Sequence, residues 1–188
     1  MTIRTISSRE VYRNKWSRVR EDIIEYPDGH RGMYGVLDKD PAVIVIPLEK
    51  TPDGEFLWLV HQFRYTVGES YFELPQGGWE QGNVIPEELA RGELAEETGL
   101  RAGKMTPLTD LWIAYGAMRQ LHHIYLAEDL TQGETNREPE EHGMTVHRVS
   151  VTEFESMILD GRIRDNCTVS AWGVYRIWRD RQYAAVSH

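Results

Sequence analysis

The chain has 188 residues, 40% of them hydrophobic, enough to bury one real core within the usual length of a single domain. A formal net charge of −9 argues against nucleic acid or anionic membrane as a partner, since those are drawn to clustered Lys and Arg, so phosphate chemistry here needs cations. Cys167 is the sole cysteine, which excludes an intramolecular disulfide, and the opening residues show neither a signal peptide nor a membrane span, so the chain reads as cytoplasmic.

In chain order, residues 11–37 alternate polar and apolar positions through Val19, Ile23 and Ile24 and break at Tyr26, Pro27, Asp28 and Gly29. That turn signature between two strands predicts an N-terminal β-hairpin. Residues 42–48 and 56–60 are short, β-branched or aromatic runs separated by Thr51, Pro52, Asp53 and Gly54, and predict a more deeply buried strand pair. Glu73, Leu74, Pro75, Gln76, Gly77 and Gly78 read as a strand end entering a glycine-rich loop. Pro86–Thr98 is the clearest helix: Pro86 suits its first turn, Glu87 and Glu88 the positive end of its dipole, and Gly99 its stop.

Residues 108–115 and 122–127 then predict strands joined through 116–120, and the polar, acidic residues 128–143 a mobile loop, because they have no apolar period. One more short strand over 144–149 and two helices, Val151–Leu159 and 167–179, close the chain. Many strands with few helices indicate an α+β or αβα sandwich domain.

On a helical wheel, at about 100° per residue, Leu89, Ala90 and Leu94 form an apolar arc of roughly 140°. Glu93 and Glu97 fall inside that arc and Glu96 beside it. Acids placed for solubility would sit opposite Leu94, and a carboxylate buried without a partner is costly. Carboxylates at i, i+3 and i+4 share one helix face and can hold a hard cation such as Mg²⁺ against substrate phosphates, where it neutralises charge and activates water. An ordinary amphipathic helix with a solvated acidic patch is the alternative on the wheel alone.

The segment from Gly77 to Leu100 resembles the Nudix box, G-x5-E-x7-R-E-U-x-E-E-x-G-U with U apolar. Gly78, Glu93, Leu94, Glu96, Glu97, Gly99 and Leu100 match; Val84 replaces the first Glu and Gly92 the Arg, for which Arg91 is a substitute. A second register opens on Gly77 with one inserted residue before Pro86. The likeness runs from about residue 11 to about 178 and is greatest to the ADP-ribose pyrophosphatase branch, through Gln62, Phe63 and Arg64, Glu73, Leu74 and Pro75, and Asp160, Gly161, Arg162, Ile163 and Asp165. Where that branch often has a Pro after the box, this chain reads Ala114, Tyr115, Gly116, Ala117.

The resemblance implies a Nudix-type αβα sandwich with a mixed sheet over residues 41–188, and an N-terminal strand or hairpin region over 1–40 that forms a homodimer. It implies Glu93, Glu96 and Glu97 as Mg²⁺ ligands, with Mn²⁺ as an alternative ion and a carbonyl at Gln76 or Gly77 completing the set. Glu96, Glu97, Glu140 and Glu141 are then the candidates for activating water, with Glu138 beside the last two; a loop is where a closing catalytic group is placed. Arg64 is a candidate phosphate ligand or else a surface salt bridge. Trp16, Tyr34 and Trp79 are candidates for walls around the base, although aromatics in strands are more often core.

His122 and His123 read as structural rather than zinc ligands, and Cys167 lacks a base partner. The implied reaction is hydrolysis of a nucleoside diphosphate linked to another group, ADP-ribose to AMP and ribose 5-phosphate foremost. The alternatives are a nucleotide-sugar hydrolase for a substrate such as GDP-mannose, a nucleoside triphosphate sanitiser, and a non-catalytic nucleotide sensor motivated by Val84 and Gly92.

Overall fold

The computed structural model describes residues 2–78, 85–133 and 143–186. Its N-terminal region is an antiparallel meander of β1 (Arg4–Arg13), β2 (Arg18–Glu25) and β3 (Arg31–Asp38). The expected turn is present, with the Tyr26 amide donating to the His30 carbonyl and Gly29 at φ 84°. The expected hairpin is nevertheless one strand short. All ten residues of β1 are exposed, so no buried face marks it in the sequence; it is held by its ladder to β2, with Arg4 paired to Glu25 and Arg9 to Glu21 across the strands.

The central sheet runs in the order β11-β5-β4-β10-β8, formed by β11 (Thr145–Ser150), β5 (Gly54–Arg64), β4 (Ala42–Thr51), β10 (Leu121–Gln132) and β8 (Leu100–Trp112). It is mixed, because β4 and β10 are parallel while the other pairs along that path are antiparallel. Two short strands complete it: β6 (Glu69–Glu73) on β5 and β7 (Gln76–Gly77) on β4. A further short strand, β9 (Met118–Arg119), lies parallel to β3 and ties the N-terminal sheet to the main one.

The alternation in β4 sets the layers. Val43 and Val45 pack with Leu89, Ala90 and Leu94 of α1 (Pro86–Thr98) on one face. Ile44, Ile46 and Leu48 pack on the other face with Phe154 and Met157 of α2 (Val151–Leu159) and Ala171, Trp172 and Tyr175 of α3 (Asn166–Val186). Burying β4 on both sides explains why it reads as an unbroken apolar run, and makes the domain an αβα sandwich of the α+β class.

Several boundaries differ from the sequence expectation, three of them markedly. β8 begins at Leu100 rather than 108, because its polar first half pairs with the far end of β10; Pro107 is tolerated on this edge strand beside a register shift. Residues 128–132, expected in a loop, belong to β10, where Glu128 bridges Lys50 and Lys104. Helix α3 continues to Val186, beyond Trp178, the last residue packed on its core cluster, through an exposed stretch in which Arg181, Gln182, Ala184 and Ala185 favour the helix. Among the described residues no helix is long and apolar enough to cross a membrane.

Candidate active site

Helix α1 has the expected bounds, with Pro86 in its first turn, Glu87 and Glu88 at the positive end and Gly99 closing it in the left-handed conformation, its amide donating to the Ala95 carbonyl. Packing of Leu89, Ala90 and Leu94 on β4 carries Glu93 and Glu97 inward with them, to 9% and 2% exposure, while Glu96 stays half-buried.

These carboxylates meet the short strand β7. The Gln76 amide donates to Glu97 Oε2 at 3.1 Å, and the Glu93 carboxylate packs so closely on the Gly77 α-carbon that any side chain there would displace it. Gly78 is similarly hemmed in, with the Pro41 carbonyl 3.1 Å from where its Cβ would stand. Both glycines of the two possible registers therefore have a packing reason. Nothing in the structure explains Gly92.

The Gln76 side chain ties this point to two other parts of the chain. Its Nε2 donates to Glu73 Oε2 at 2.7 Å and to Asp165 Oδ2 at 2.8 Å. Asp165 also caps α3, accepting from the Cys167 and Thr168 amides and from the Thr168 hydroxyl, which itself accepts from the Leu74 amide. Glu73 is 2% exposed and grips Arg64 bidentately, at 2.9 Å from Nε and 2.6 Å from Nη2. Burial opposes the charge on Arg64, but Glu73, with Glu97 and Asp165 nearby, outweighs it and holds the guanidinium above its usual pKa.

A cleft of about 850 Å³ opens over this network, lined by Arg64, Glu73, Gln76, Gly77, His122 and Asp165 among others. The residues present fit a divalent cation of the Mg²⁺ kind. Two deeply buried carboxylates face a backbone segment with no intervening side chain, and the donors on offer are all oxygen, which is the preference of a hard ion. Among the described residues no three Asp, Glu, His or Cys side chains close on a single point. The α1 carboxylates thus form a stripe, the arrangement for ions that take their remaining oxygens from backbone, phosphate and water.

The other predicted residues are placed as follows. Arg64 is in the cleft wall, and it is also the salt bridge that the sequence left as its alternative reading. Arg91 does not take the place of the missing box Arg: its guanidinium is bound to Glu87 and to the Ala102 carbonyl. Trp16 sits at the turn between β1 and β2, 54% exposed, and lines a separate cavity of about 500 Å³ with Trp112, Lys39 and Arg119. Tyr34 is on β3, 43% exposed, and lines neither cavity. Trp79, Glu138, Glu140 and Glu141 lie outside the described residues.

The sequence reading did not place Glu73, Asp165 and His122 in the cleft wall, where the fold brings them. His122 was expected to be structural; it is 7% exposed, lines the cleft, and its pKa is pushed down to about 4, chiefly by burial. Only the parallel pairing of β10 with β4, which brings His122 opposite Ala42, places it there. His123 alternates away and pairs with Asp110. The Cys167 thiol is pushed up to about 12 by burial and by the Asp165 and Glu73 carboxylates, in keeping with an inert residue.

Comparison with known proteins gives two family matches: residues 3–37 match the nucleoside diphosphate sugar hydrolase N-terminal domain, and residues 38–169 match the NUDIX domain. An ADP-ribose pyrophosphatase of Bacillus subtilis is 31% identical over 138 residues, 73% of this chain and 72% of that protein. An ADP-ribose pyrophosphatase of Mycobacterium tuberculosis is 29% identical over 167 residues, 88% and 79% of the two chains. The crystal structure of an ADP compounds hydrolase matches with a TM-score of 0.81 over 97% of this chain and 96% of that one, at 22% identity, a likeness of fold.

Proposed function

We propose, from the premise that this chain belongs to the Nudix hydrolase family and is a pyrophosphohydrolase, that its substrate is a nucleoside diphosphate joined to a sugar, ADP-ribose foremost, which it splits to AMP and ribose 5-phosphate. The observation that carries this is the burial of Glu93 and Glu97 against Gln76 and Gly77 at the edge of a cleft that also holds Arg64. The two ADP-ribose pyrophosphatases among its relatives support the choice of substrate. A nucleotide-sugar such as GDP-mannose is the second reading, favoured by the match of residues 3–37 to a nucleoside diphosphate sugar hydrolase domain.

Nudix enzymes generally use divalent metals; here the ion is Mg²⁺, with Mn²⁺ as a substitute, held by Glu93, Glu96 and Glu97 with the Gln76 carbonyl. When bound it supplies positive charge to the pyrophosphate and lowers the pKa of water. Arg64 contributes the rest of the charge: with Nε and Nη2 fixed on Glu73, its Nη1 amino group is oriented for a phosphate oxygen without the entropy cost of a free side chain. Glu96, Glu97, Glu140 and Glu141 are the candidates to take the proton from attacking water.

Residues 1–40 form the dimerising unit and 41–188 the hydrolase domain. Ile6, Val11, Tyr12, Met33 and Tyr34 expose apolar surface on the N-terminal sheet, which supports a homodimer in which Trp16, Tyr34 and Trp79 stand near the base. A substrate panel of ADP-ribose, GDP-mannose, other nucleotide-sugars and nucleoside triphosphates, with Mg²⁺ or EDTA, tests the reading. AMP release from ADP-ribose that is abolished by EDTA and cut at least about 100-fold by Glu97→Gln supports it; turnover confined to nucleoside triphosphates overturns it. Sedimentation as a monomer removes the dimer.

A further inference from the structure

The geometry points to His122 as a specificity-determining residue that binds the uncharged, hydroxyl-bearing group attached to the distal phosphate of the substrate. This rests on the pyrophosphohydrolase reading above and adds the chemistry of one wall of its cleft.

Three observations carry it. First, His122 is 7% exposed and lines the cleft, and its enclosed Nδ1 has no hydrogen-bond partner among the described residues. A buried polar group normally finds a partner, so a cleft-lining ring that no protein group engages is available to a ligand. With Nδ1 enclosed, Nε2 is the nitrogen left to meet it. Second, burial and the nearby charge of Lys39 keep the ring neutral at working pH, despite the opposing effect of Asp165. A neutral imidazole both donates and accepts, which suits a sugar hydroxyl and gives little to a phosphate.

Third, two other residues of the cleft wall share this character. Gln120 is 9% exposed and spends its amide N–H on the Asp40 carbonyl, leaving the side-chain oxygen as an acceptor; Asn166 begins α3 nearby and is exposed. The same cleft is lined by Arg64 and Glu73, the charged pair that the Gln76 side chain joins to Asp165. The cleft thus offers neutral donors and acceptors beside its charged groups, Lys39 and Asp165 included, and a diphosphate carrying a sugar needs both.

The test is calorimetric titration, in Mg²⁺, of the non-hydrolysable α,β-methylene analogues of ADP-ribose and of ADP, which lacks the distal sugar. His122→Phe is expected to raise Kd for the ADP-ribose analogue about tenfold, roughly 1.4 kcal/mol, and to change Kd for the ADP analogue less than twofold. His122→Gln, which keeps donor and acceptor, recovers most of the loss. Asn166→Ala, at an exposed helix start, shows the same selectivity in smaller measure and is independent of core packing. Equal weakening of both analogues, unchanged binding of the ADP-ribose analogue, or no binding of either by the wild type overturns the assignment. Turnover by the wild type is scored separately: loss of sugar selectivity in His122→Phe without wild-type hydrolysis refutes the hydrolase reading alone, while hydrolysis without that selectivity refutes the role of His122 alone.

Discussion

A methyl group on the α-carbon of Gly77 would stand 2.5 Å from both carboxylate oxygens of Glu93, so strand β7 and helix α1 meet across a glycine and nothing larger. What would have to yield is the far end of a flexible side chain, not backbone. Gly77→Ala is therefore expected to cost less than about 1 kcal/mol of stability while displacing the Glu93 carboxylate and lowering kcat/KM at least tenfold, with a raised Mg²⁺ requirement. Urea unfolding and an Mg²⁺ titration of activity check the two halves; a stable, fully active variant would remove Glu93 from the metal site.

Arg64 and Glu73 form a pair in which one partner is deeply buried and the other opens on the cleft. Arg64→Met leaves Glu73 with Gln76 Nε2 but without its guanidinium. The expected loss is about 2–3 kcal/mol, below the usual figure for breaking a buried pair because the Arg64 side chain is 42% exposed. The double variant Arg64→Met with Glu73→Met should regain part of it. Chemical denaturation of the two variants beside the wild type decides, and a change under about 0.5 kcal/mol would mean that the pair is solvated.

The pH dependence of stability carries a signature of His122. Its folded pKa, about 4, lies below the ordinary histidine value of 6.5, so between those values the unfolded chain takes a proton that the folded one refuses. Stability from this group is complete above pH 6.5 and declines as the pH falls toward 4, with a slope approaching about 1.4 kcal/mol per pH unit. The difference in unfolding free energy between wild type and His122→Gln should show that slope in that window and be flat above pH 7.

Cys167, pushed up to about 12, has almost no thiolate at pH 8. Labelling of the native protein with a disulfide reagent at that pH is expected to run at least about 100-fold slower than in denaturant. Comparable rates in the two states would show that the start of α3 opens readily.

Much of this protein was written locally. The caps of α1 and the bounds of α1 and α2 depend on residues within a turn of one another, and the inward tilt of Glu93 and Glu97 follows from their spacing to Leu94. Strand β4 announced its two-sided burial by its unbroken apolar run. What needed the tertiary structure has no short-range cause. β1 is exposed throughout and is a strand only because β2 offers it a ladder.

The contact of Gln76 with Asp165 joins residues 89 positions apart, and His122 reaches the cleft because β10 lies parallel to β4. Periodicity and capping fix which face of an element is apolar. Which polar residues then converge on one cleft is decided by strand order and register, through contacts between segments that do not influence one another until the sheet has formed.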